Sequence, residues 1–208
     1  SADLDEQIKY TGAGVFYDNR FYVARTGPDN PLINPDNSIL HFEQKKTPDG
    51  TRKDTLIGRV PLLAPEGQGL MSANHISSIT TFDRPNYDMI ITLLGKNSFK
   101  TQVLEYVVNP QFEGYQSKFS TEFADILEFN KFGAPEDAAV DFRGNIYVAD
   151  AEKDSVFKFN SFGDELQSFG GSDVFSGPSA VGHFDRTLYV ADTENDRILR
   201  FILSTDVE

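Results

Sequence analysis

The sequence predicts an all-β protein for three reasons: a segment repeats, its apolar and polar residues alternate, and Gly, Asn and Asp separate its parts. Residues 147–159, YVADAEKDSVFKF, return as residues 189–201, YVADTENDRILRF. Self-similarity at a spacing of about 40 residues is typical of solenoids and propellers. No helix-period signal competes with this pattern. We therefore expect small antiparallel sheets arranged as the blades of a β-propeller.

The unit that begins at Gly133 predicts three strands and a possible fourth. It reads AAVD, a turn FRGN, then IYVAD, a polar turn AEKD, and SVFKF. The segment DELQSFG, residues 164–170, follows as the fourth strand candidate. The unit that begins at Gly177 aligns with the first one, with a single residue missing near Pro178. Each unit is therefore expected to form one blade.

Two divergent units precede this pair. The segment GVFYDNRFYVAR, residues 14–25, predicts two strands, SILHFEQ the third and DTLIGRV the fourth. From Asn74 onward, the order of strand, turn, strand, polar loop and strand recurs without the signature letters. The prediction is a single domain, residues 1–208, with units at approximately 12–60, 74–120, 133–170 and 177–203.

The later pair of units resembles a known repeat family. A proline-led first strand is followed by Gly-Asn-Ile-Tyr-Val-Ala-Asp in one copy and by Asn-Asp-Arg-Ile with an aromatic residue in the other. This pattern is similar to the NHL repeat over residues 133–201, about a third of the chain. The resemblance implies a β-propeller, and NHL-like rings usually have six blades, whereas four units are visible here.

The number of blades leaves two alternatives open. Residues 3–10 could add the outer strand to the last blade and close a ring of four. Alternatively, the four units are part of a larger ring, and insertions around residues 112–132 could hide an extra sheet.

The composition argues against several classes of partner and of chemistry. Thirty-two acidic and nineteen basic residues give a formal charge of −13, which would repel nucleic acid and anionic lipid. The absence of cysteine excludes disulfides, thiolate metal sites and cysteine nucleophiles. No apolar run approaches the roughly 20 residues that span a bilayer.

Loops that join second to third strands are expected to crowd one rim of the propeller. Loops on a rigid scaffold often carry binding residues, so this rim is the predicted binding site. His75 could face the channel mouth beside Asn74, and both are included among the predicted binding residues. The residues on the loops themselves are Arg25, Asp29, Asn30, Asp36, Asp150, Glu152, Asp192, Glu194 and Asn195.

Candidate metal sites have competing structural interpretations. Asp150 and Asp192 end strands at tight turns, where a carboxylate accepts backbone N–H bonds, and we favour that role. The segment GPDNPLINPDNS, residues 27–38, could offer carboxylate and amide oxygens to calcium, but it lacks the spacing of a known calcium loop. We therefore predict no cofactor, with calcium at this loop as the alternative.

The sequence favours a non-enzymatic protein-binding propeller over an enzyme. The predicted partner is another protein in a larger assembly, and an acidic rim would suit basic or calcium-bridged partners. The composition suggests a bacterial cell-envelope or secreted protein. The alternative is a metal-dependent enzyme of the lactonase or lyase kind, which fold-level resemblance implies. Glu136 and Asp137 lie near a first strand, but no equivalent set is present in the other units.

Overall fold

The structure, a computed structural model, is all-β, and its four sheets are arranged as a four-blade β-propeller. This confirms the predicted fold class. The structure describes residues 8–16, 19–27, 37–63, 69–70, 73–82 and 86–203. Its helical segments in this described part are short 3-10 turns, none of which could span a bilayer.

Each blade is an antiparallel meander whose strands follow chain order. The first blade contains β1 (Lys9–Val15), β2 (Arg20–Thr26), β3 (Ser38–Lys46) and β4 (Arg52–Arg59). The second blade contains β6 (Ile76–Thr81), β7 (Met89–Leu93), β8 (Thr101–Asn109) and β9 (Phe112–Ser117). A short strand that precedes it, β5 (Leu62–Leu63), pairs in parallel with its outer strand, β9. The third contains β10 (Pro135–Val140), β11 (Ile146–Asp150), β12 (Ser155–Phe159) and β13 (Glu165–Gly170), and the fourth β14 (Pro178–Phe184), β15 (Thr187–Asp192) and β16 (Arg197–Ile202).

Two tight turns of the third blade are stabilised in the same way, by a side-chain oxygen that accepts two backbone hydrogen bonds. Asp141 Oδ1 accepts hydrogen bonds from the backbone N–H groups of Arg143 and Asn145, both at 2.9 Å. Asn160 Oδ1 likewise accepts hydrogen bonds from the backbone N–H groups of Phe162 and Asp164 in the turn between β12 and β13. These short polar side chains replace the backbone partners that a turn leaves unsatisfied.

Apolar side chains fill the gaps between consecutive blades. Between the first and second blades, Tyr22 and Ile39 pack in one cluster with Met89, Ile91 and Tyr115. Similar clusters fill the second gap and the third gap. A strand with a neighbouring blade on both sides is buried throughout, as β7 and β11 are. This explains why repetition stabilises the fold.

Hydrogen bonds tie adjacent inner strands together near the axis. Thr81 Oγ1 donates to the Val15 carbonyl oxygen of the first blade at 2.9 Å. Thr80 Oγ1 donates to the Ala138 carbonyl oxygen of the third blade at 2.6 Å. The backbone N–H of Val181 in the fourth blade donates to Asp137 at 3.0 Å. The inner strands therefore have a fixed register from blade to blade.

The predicted closing strand is wrong for the residues that the structure describes. Lys9 and Tyr10 begin β1 and pair with Thr26 and Arg25 of the first blade, not with the fourth. The remaining residues of this prediction, 3–7, lie outside the described part. Ile198, on the side of the fourth blade that faces away from the third, is 72% exposed, so the first blade does not cover this side.

Two other expectations also need correction. Phe112–Ser117 is β9 of the second blade, and residues 118–134 form a linker with a 3-10 turn, so no extra sheet lies there. The missing residue of the last unit lies in its first turn rather than near Pro178. His183 pairs with Leu188 as Val140 pairs with Ile146, and the turn between them is one residue shorter.

Candidate binding rim

The strand register brings the predicted loop residues to one end of the propeller, which we call the upper rim. Pro135 at the start of β10 pairs with Asp150 at the end of β11, and Pro178 pairs with Asp192 in the same way. The upper rim therefore consists of the first-strand starts and the second-to-third-strand loops. Arg25 is the penultimate residue of β2 and lies at this rim.

Asp29, Asn30 and Asp36 lie outside the described residues, so their predicted part in the rim and in calcium binding stays a prediction. Asn37, the next residue along, is described and buried. Its Oδ1 accepts hydrogen bonds from the backbone N–H groups of Gly27, at 3.1 Å, and His75, at 3.3 Å. Asn37 therefore joins the first blade to the second.

Asp150 stabilises the rim from inside. Its side chain is fully buried, and its two oxygens accept hydrogen bonds from the backbone N–H groups of Gly133 and Ala134 at 2.7 and 2.9 Å. A third bond, at 3.2 Å, comes from the backbone N–H of Lys153. These contacts agree with the interpretation of this carboxylate as a structural turn residue.

Asp192 repeats this arrangement one blade later, with an added cation. Its carboxylate accepts hydrogen bonds from the Ser176 backbone N–H at 2.6 Å, from Asn195 Nδ2 at 3.0 Å and from Arg197 Nε at 2.6 Å. Desolvation by burial acts to raise the pKa of Asp192, but these three donors outweigh it and lower the pKa below its ordinary value. The carboxylate is therefore ionised and held in place.

Glu152 and Glu194 occupy equivalent positions of the two repeats, and each lies over a glycine close to the start of the first strand of its blade. A Cβ atom at Gly133 would come within 2.8 Å of the Glu152 side chain, and one at Gly177 within 3.0 Å of Glu194. Glu194 also accepts a hydrogen bond from the Ser176 hydroxyl at 2.7 Å. Both glutamates remain exposed at their outer ends, so they are available to a partner.

A pocket of about 580 Å³ opens in the upper rim at the second blade. It brings the predicted Asn74 and His75 together with residues that the sequence analysis did not select. Asn97 Oδ1 accepts a hydrogen bond from the Asn74 backbone N–H at 3.1 Å, and Asn97 Nδ2 donates to the Asn74 carbonyl oxygen at 2.9 Å. The other lining residues are Asn37, Leu94, Gly95, Lys96 and Lys100.

The described part of the upper rim carries lysines as well as the acidic residues that the sequence predicted there. Lys96 and Lys100 come from the β7–β8 loop, which has lost the repeat signature and gave no sequence signal. They lie on the side of the second blade, while Glu152 and Glu194 lie on the third and fourth. The His75 and Lys96 side chains are exposed. The rim therefore offers hydrogen-bond donors at one side and carboxylates at the other.

Glu136 and Asp137 form a pair of carboxylates with perturbed acidity on β10. Burial raises the pKa of Glu136, and the negative charges of Asp150 and Asp137 raise it further. Burial also raises the pKa of Asp137, although the Val181 backbone N–H opposes this shift. Within the described part of the chain, no three His, Asp or Glu side chains lie close enough to hold a metal ion.

Comparisons with known proteins show the fold and no family. No protein-family model and no curated protein matches the chain. A luciferin-regenerating enzyme structure is similar with a TM-score of 0.53 and 12% identity, over 89% of this chain and 54% of that one. A structure of the calcium-binding protein regucalcin from Agrobacterium tumefaciens is similar with a TM-score of 0.53 and 9% identity, over 95% of this chain and 62% of that one.

These identities support likeness of fold alone. The chain spans about half to three fifths of the length of these two solved structures, so both contain chain beyond the matched part. By its fold, the protein is a β-propeller.

Proposed function

We propose that this chain is a non-enzymatic, protein-binding propeller of the NHL type, and that it serves in a bacterial cell-envelope or secreted assembly. The observation that carries the proposal is the construction of the upper rim. Buried polar side chains, namely Asp150, Asp192 and Asn37, hold its loops by hydrogen bonds to backbone N–H groups. Such loops present their exposed side chains on a rigid surface, which lowers the entropic cost of binding.

The NHL assignment is supported by the repeated residues and by the hydrogen bonds and contacts that they make. The Asp at the end of the second strand caps the start of the first strand in the third and fourth blades, through Gly133 and Ser176. The equivalent glutamates of the following loops, Glu152 and Glu194, each lie over a glycine near the start of the first strand, Gly133 and Gly177. These shared roles support a common repeat rather than a chance likeness of two segments.

The division of charge favours a partner with both acidic and basic groups. Donors at Lys96 and His75 would meet acidic groups, and Glu152 and Glu194 would meet basic ones. The acidic, cysteine-free composition agrees with an extracytoplasmic location.

A capture experiment with matched variants tests the proposal. The immobilised chain would be exposed to solubilised cell envelope and to culture medium, and retained proteins would be identified by mass spectrometry. Lys96→Glu changes the upper rim, and Lys53→Glu makes the same charge change on exposed β4 of the first blade. A partner that is lost with Lys96→Glu and kept with Lys53→Glu supports the proposal. Retention that is equal for all three proteins contradicts it.

A metal-dependent enzyme of the lactonase or lyase kind is the second candidate, and the Glu136–Asp137 pair favours it. Carboxyl groups with raised pKa values are candidates for acid–base catalysis. Metal analysis of protein purified without added ions and turnover of lactones with added calcium or zinc test this candidate. Turnover that Glu136→Gln abolishes would replace the binding proposal, and no turnover with any ion would remove the enzyme candidate.

A further inference from the structure

The described residues that line the upper-rim pocket include two lysines and a histidine and no acidic residue. Lys96 and Lys100 lie in the loop between β7 and β8, and His75 directly precedes β6. Leu94 is the one apolar side chain among these lining residues, and the rest of the described lining is asparagine and glycine. A ligand of this pocket of about 580 Å³ is therefore expected to be hydrophilic and negatively charged.

Lys100 is a partly buried cation without a counter-charge in the described part of the chain. Its Nζ donates a hydrogen bond to the Gly133 carbonyl oxygen of the third blade. Two acidic side chains, Asp150 and Glu152, also contact Gly133. Neither of them forms an ion pair with Lys100. Since an ammonium group has three N–H donors, two remain for water or for a ligand.

Lys96 and His75 also lack a carboxylate partner among the described residues, and both are exposed. This cationic cluster contrasts with the formal charge of −13 for the whole chain. The net charge opposes the approach of large polyanions. It acts less on a small anion, because salt screens exposed charges over a distance of about 10 Å. The cluster therefore favours a small anionic group.

The backbone of the pocket is held in place by the protein itself. Asn97 accepts one hydrogen bond from the Asn74 backbone and donates another to it, and Asn74 Nδ2 donates to the Lys96 carbonyl oxygen at 3.3 Å. His75 has a φ angle of 51°, in the left-handed region that is uncommon for residues other than glycine. Its N–H donates to Asn37 at 3.3 Å. Backbone held in this way often occurs at ligand sites, and it reduces the entropy lost on binding.

We propose that this pocket binds a phosphoryl group. A phosphate monoester carries between about 1.5 and 2 negative charges at neutral pH and three strong acceptor oxygens, which suits the ammonium groups of Lys96 and Lys100 with the imidazole of His75. Lysine binds phosphate as a point charge, whereas carboxylates are recognised best by the planar fork of arginine. No arginine is present among the described lining residues. The proposal goes beyond protein binding, because either a small phosphate ester or a phosphorylated side chain can supply this group.

Calorimetric titration with inorganic phosphate tests the proposal. The wild-type chain should bind phosphate saturably at millimolar concentrations. Lys100→Met removes the ammonium group and keeps an apolar stem, Lys96→Gln removes an exposed charge, and His75→Asn keeps a residue type that tolerates positive φ. Lys100→Met and Lys96→Gln should each weaken binding about tenfold, and His75→Asn should weaken it less. Lys53→Gln removes the same charge from exposed β4 and should bind phosphate like the wild type.

Two results would overturn the proposal at this stage. One is the absence of saturable phosphate binding at millimolar concentrations. The other is binding that Lys100→Met and Lys96→Gln leave unchanged. Amide NMR spectra of the variants show whether each is folded, and Lys96→Gln alters only an exposed side chain, so it remains informative if Lys100→Met does not fold. In the wild-type spectrum, phosphate should shift the amide signals of His75 and residues 94–97 and leave Gly163, at the opposite end of the third blade, unchanged. Shifts that exclude the pocket would also overturn the site.

Two further titrations identify the source of the group and its chemistry. A phosphoserine peptide that binds more tightly than phosphate, while its unphosphorylated form does not bind, indicates a phosphorylated protein. Equal affinity for the phosphopeptide and for phosphate indicates a small free molecule, and both results support the phosphoryl site. Succinate, a dicarboxylate, should bind more weakly than phosphate, and tighter binding of succinate overturns the assignment. The capture experiment has its own readout, so failure of this proposal is distinguishable from failure of the protein-binding proposal.

Discussion

Tyr147 and Tyr189 occupy the same position in two consecutive repeats, yet Tyr147 is fully buried and Tyr189 is 38% exposed. Tyr147 lies in the apolar cluster between the third and fourth blades, and its hydroxyl donates a hydrogen bond to Asp141 at 3.2 Å. Burial and the nearby Asp141 carboxylate both raise its pKa. Position in the ring, rather than the residue itself, decides what each tyrosine contributes.

This difference predicts unequal costs for one substitution. Tyr147→Ala should lower the free energy of unfolding by about 3–5 kcal/mol, because it opens a cavity between two blades. Tyr189→Ala should cost about 1 kcal/mol or less, because that side chain is partly in water. Urea denaturation of the wild type and of each variant measures both costs. Equal costs would contradict the difference in burial of the two tyrosines.

The carboxylate of Asp192 predicts a loss of stability in acid. Its pKa is lowered in the folded state, so its contribution is full above the unfolded pKa of about 4 and is lost as the pH falls through the lower folded value. The wild-type chain should therefore be more stable than Asp192→Asn at neutral pH, with a gap that narrows below pH of about 4. Urea midpoints measured across this range check the sign, and a gap that widens in acid would contradict it.

The carboxyl of Asp137 predicts the opposite sign. Burial raises its pKa in the folded state, so ionisation costs stability as the pH rises from the unfolded value. Asp137→Asn can still accept the hydrogen bond from the Val181 backbone N–H. We expect this variant to match the wild type in acid and to exceed it at neutral pH, in the same denaturation series. A variant that is less stable at neutral pH than in acid, relative to wild type, would exclude this account.

Two adjacent glycines at the end of β13 allow the cost of steric contact to be compared with the cost of backbone strain. Gly170 and Gly171 both have positive φ angles, of 124° and 92°. A Cβ atom at Gly170 would lie 2.6 Å from the Asp154 carbonyl oxygen and from the Phe175 ring, whereas one at Gly171 would meet nothing within 4 Å. Gly171→Ala should cost about 1 kcal/mol through strain alone. Gly170→Ala should cost clearly more, and thermal unfolding of the pair gives the difference.

The Asn74–Asn97 contact predicts how the rim pocket is held. Asn97→Ala removes the two side-chain hydrogen bonds to the Asn74 backbone and should cost about 1 kcal/mol. It should also speed amide hydrogen exchange at Asn74, because that N–H loses its acceptor. Lys96→Ala, a change of an exposed neighbour, should leave both quantities nearly unchanged. Unchanged exchange at Asn74 in Asn97→Ala would show that the pocket is held by other contacts.

The local features of the fold were accessible from the sequence. The repeated segments, the alternation of apolar residues and the Gly, Asn and Asp turns predicted the four sheets and the role of Asp150 and Asp192 as acceptors of backbone hydrogen bonds at turns. Such features depend on neighbours in the same blade, which the repeat brings together at short range along the chain.

The contacts between blades were decided by the tertiary structure alone. The sequence does not show that Lys96, Asn97 and Lys100 complete the rim pocket, because the loop that carries them lacks the repeat signature. Nor does it show that Tyr189 and Ile198 face water while Tyr147 and Val156 do not, because each pair occupies equivalent repeat positions. Burial of a blade face depends on whether another blade lies against it. That is a property of the arrangement of the blades, not of any one repeat.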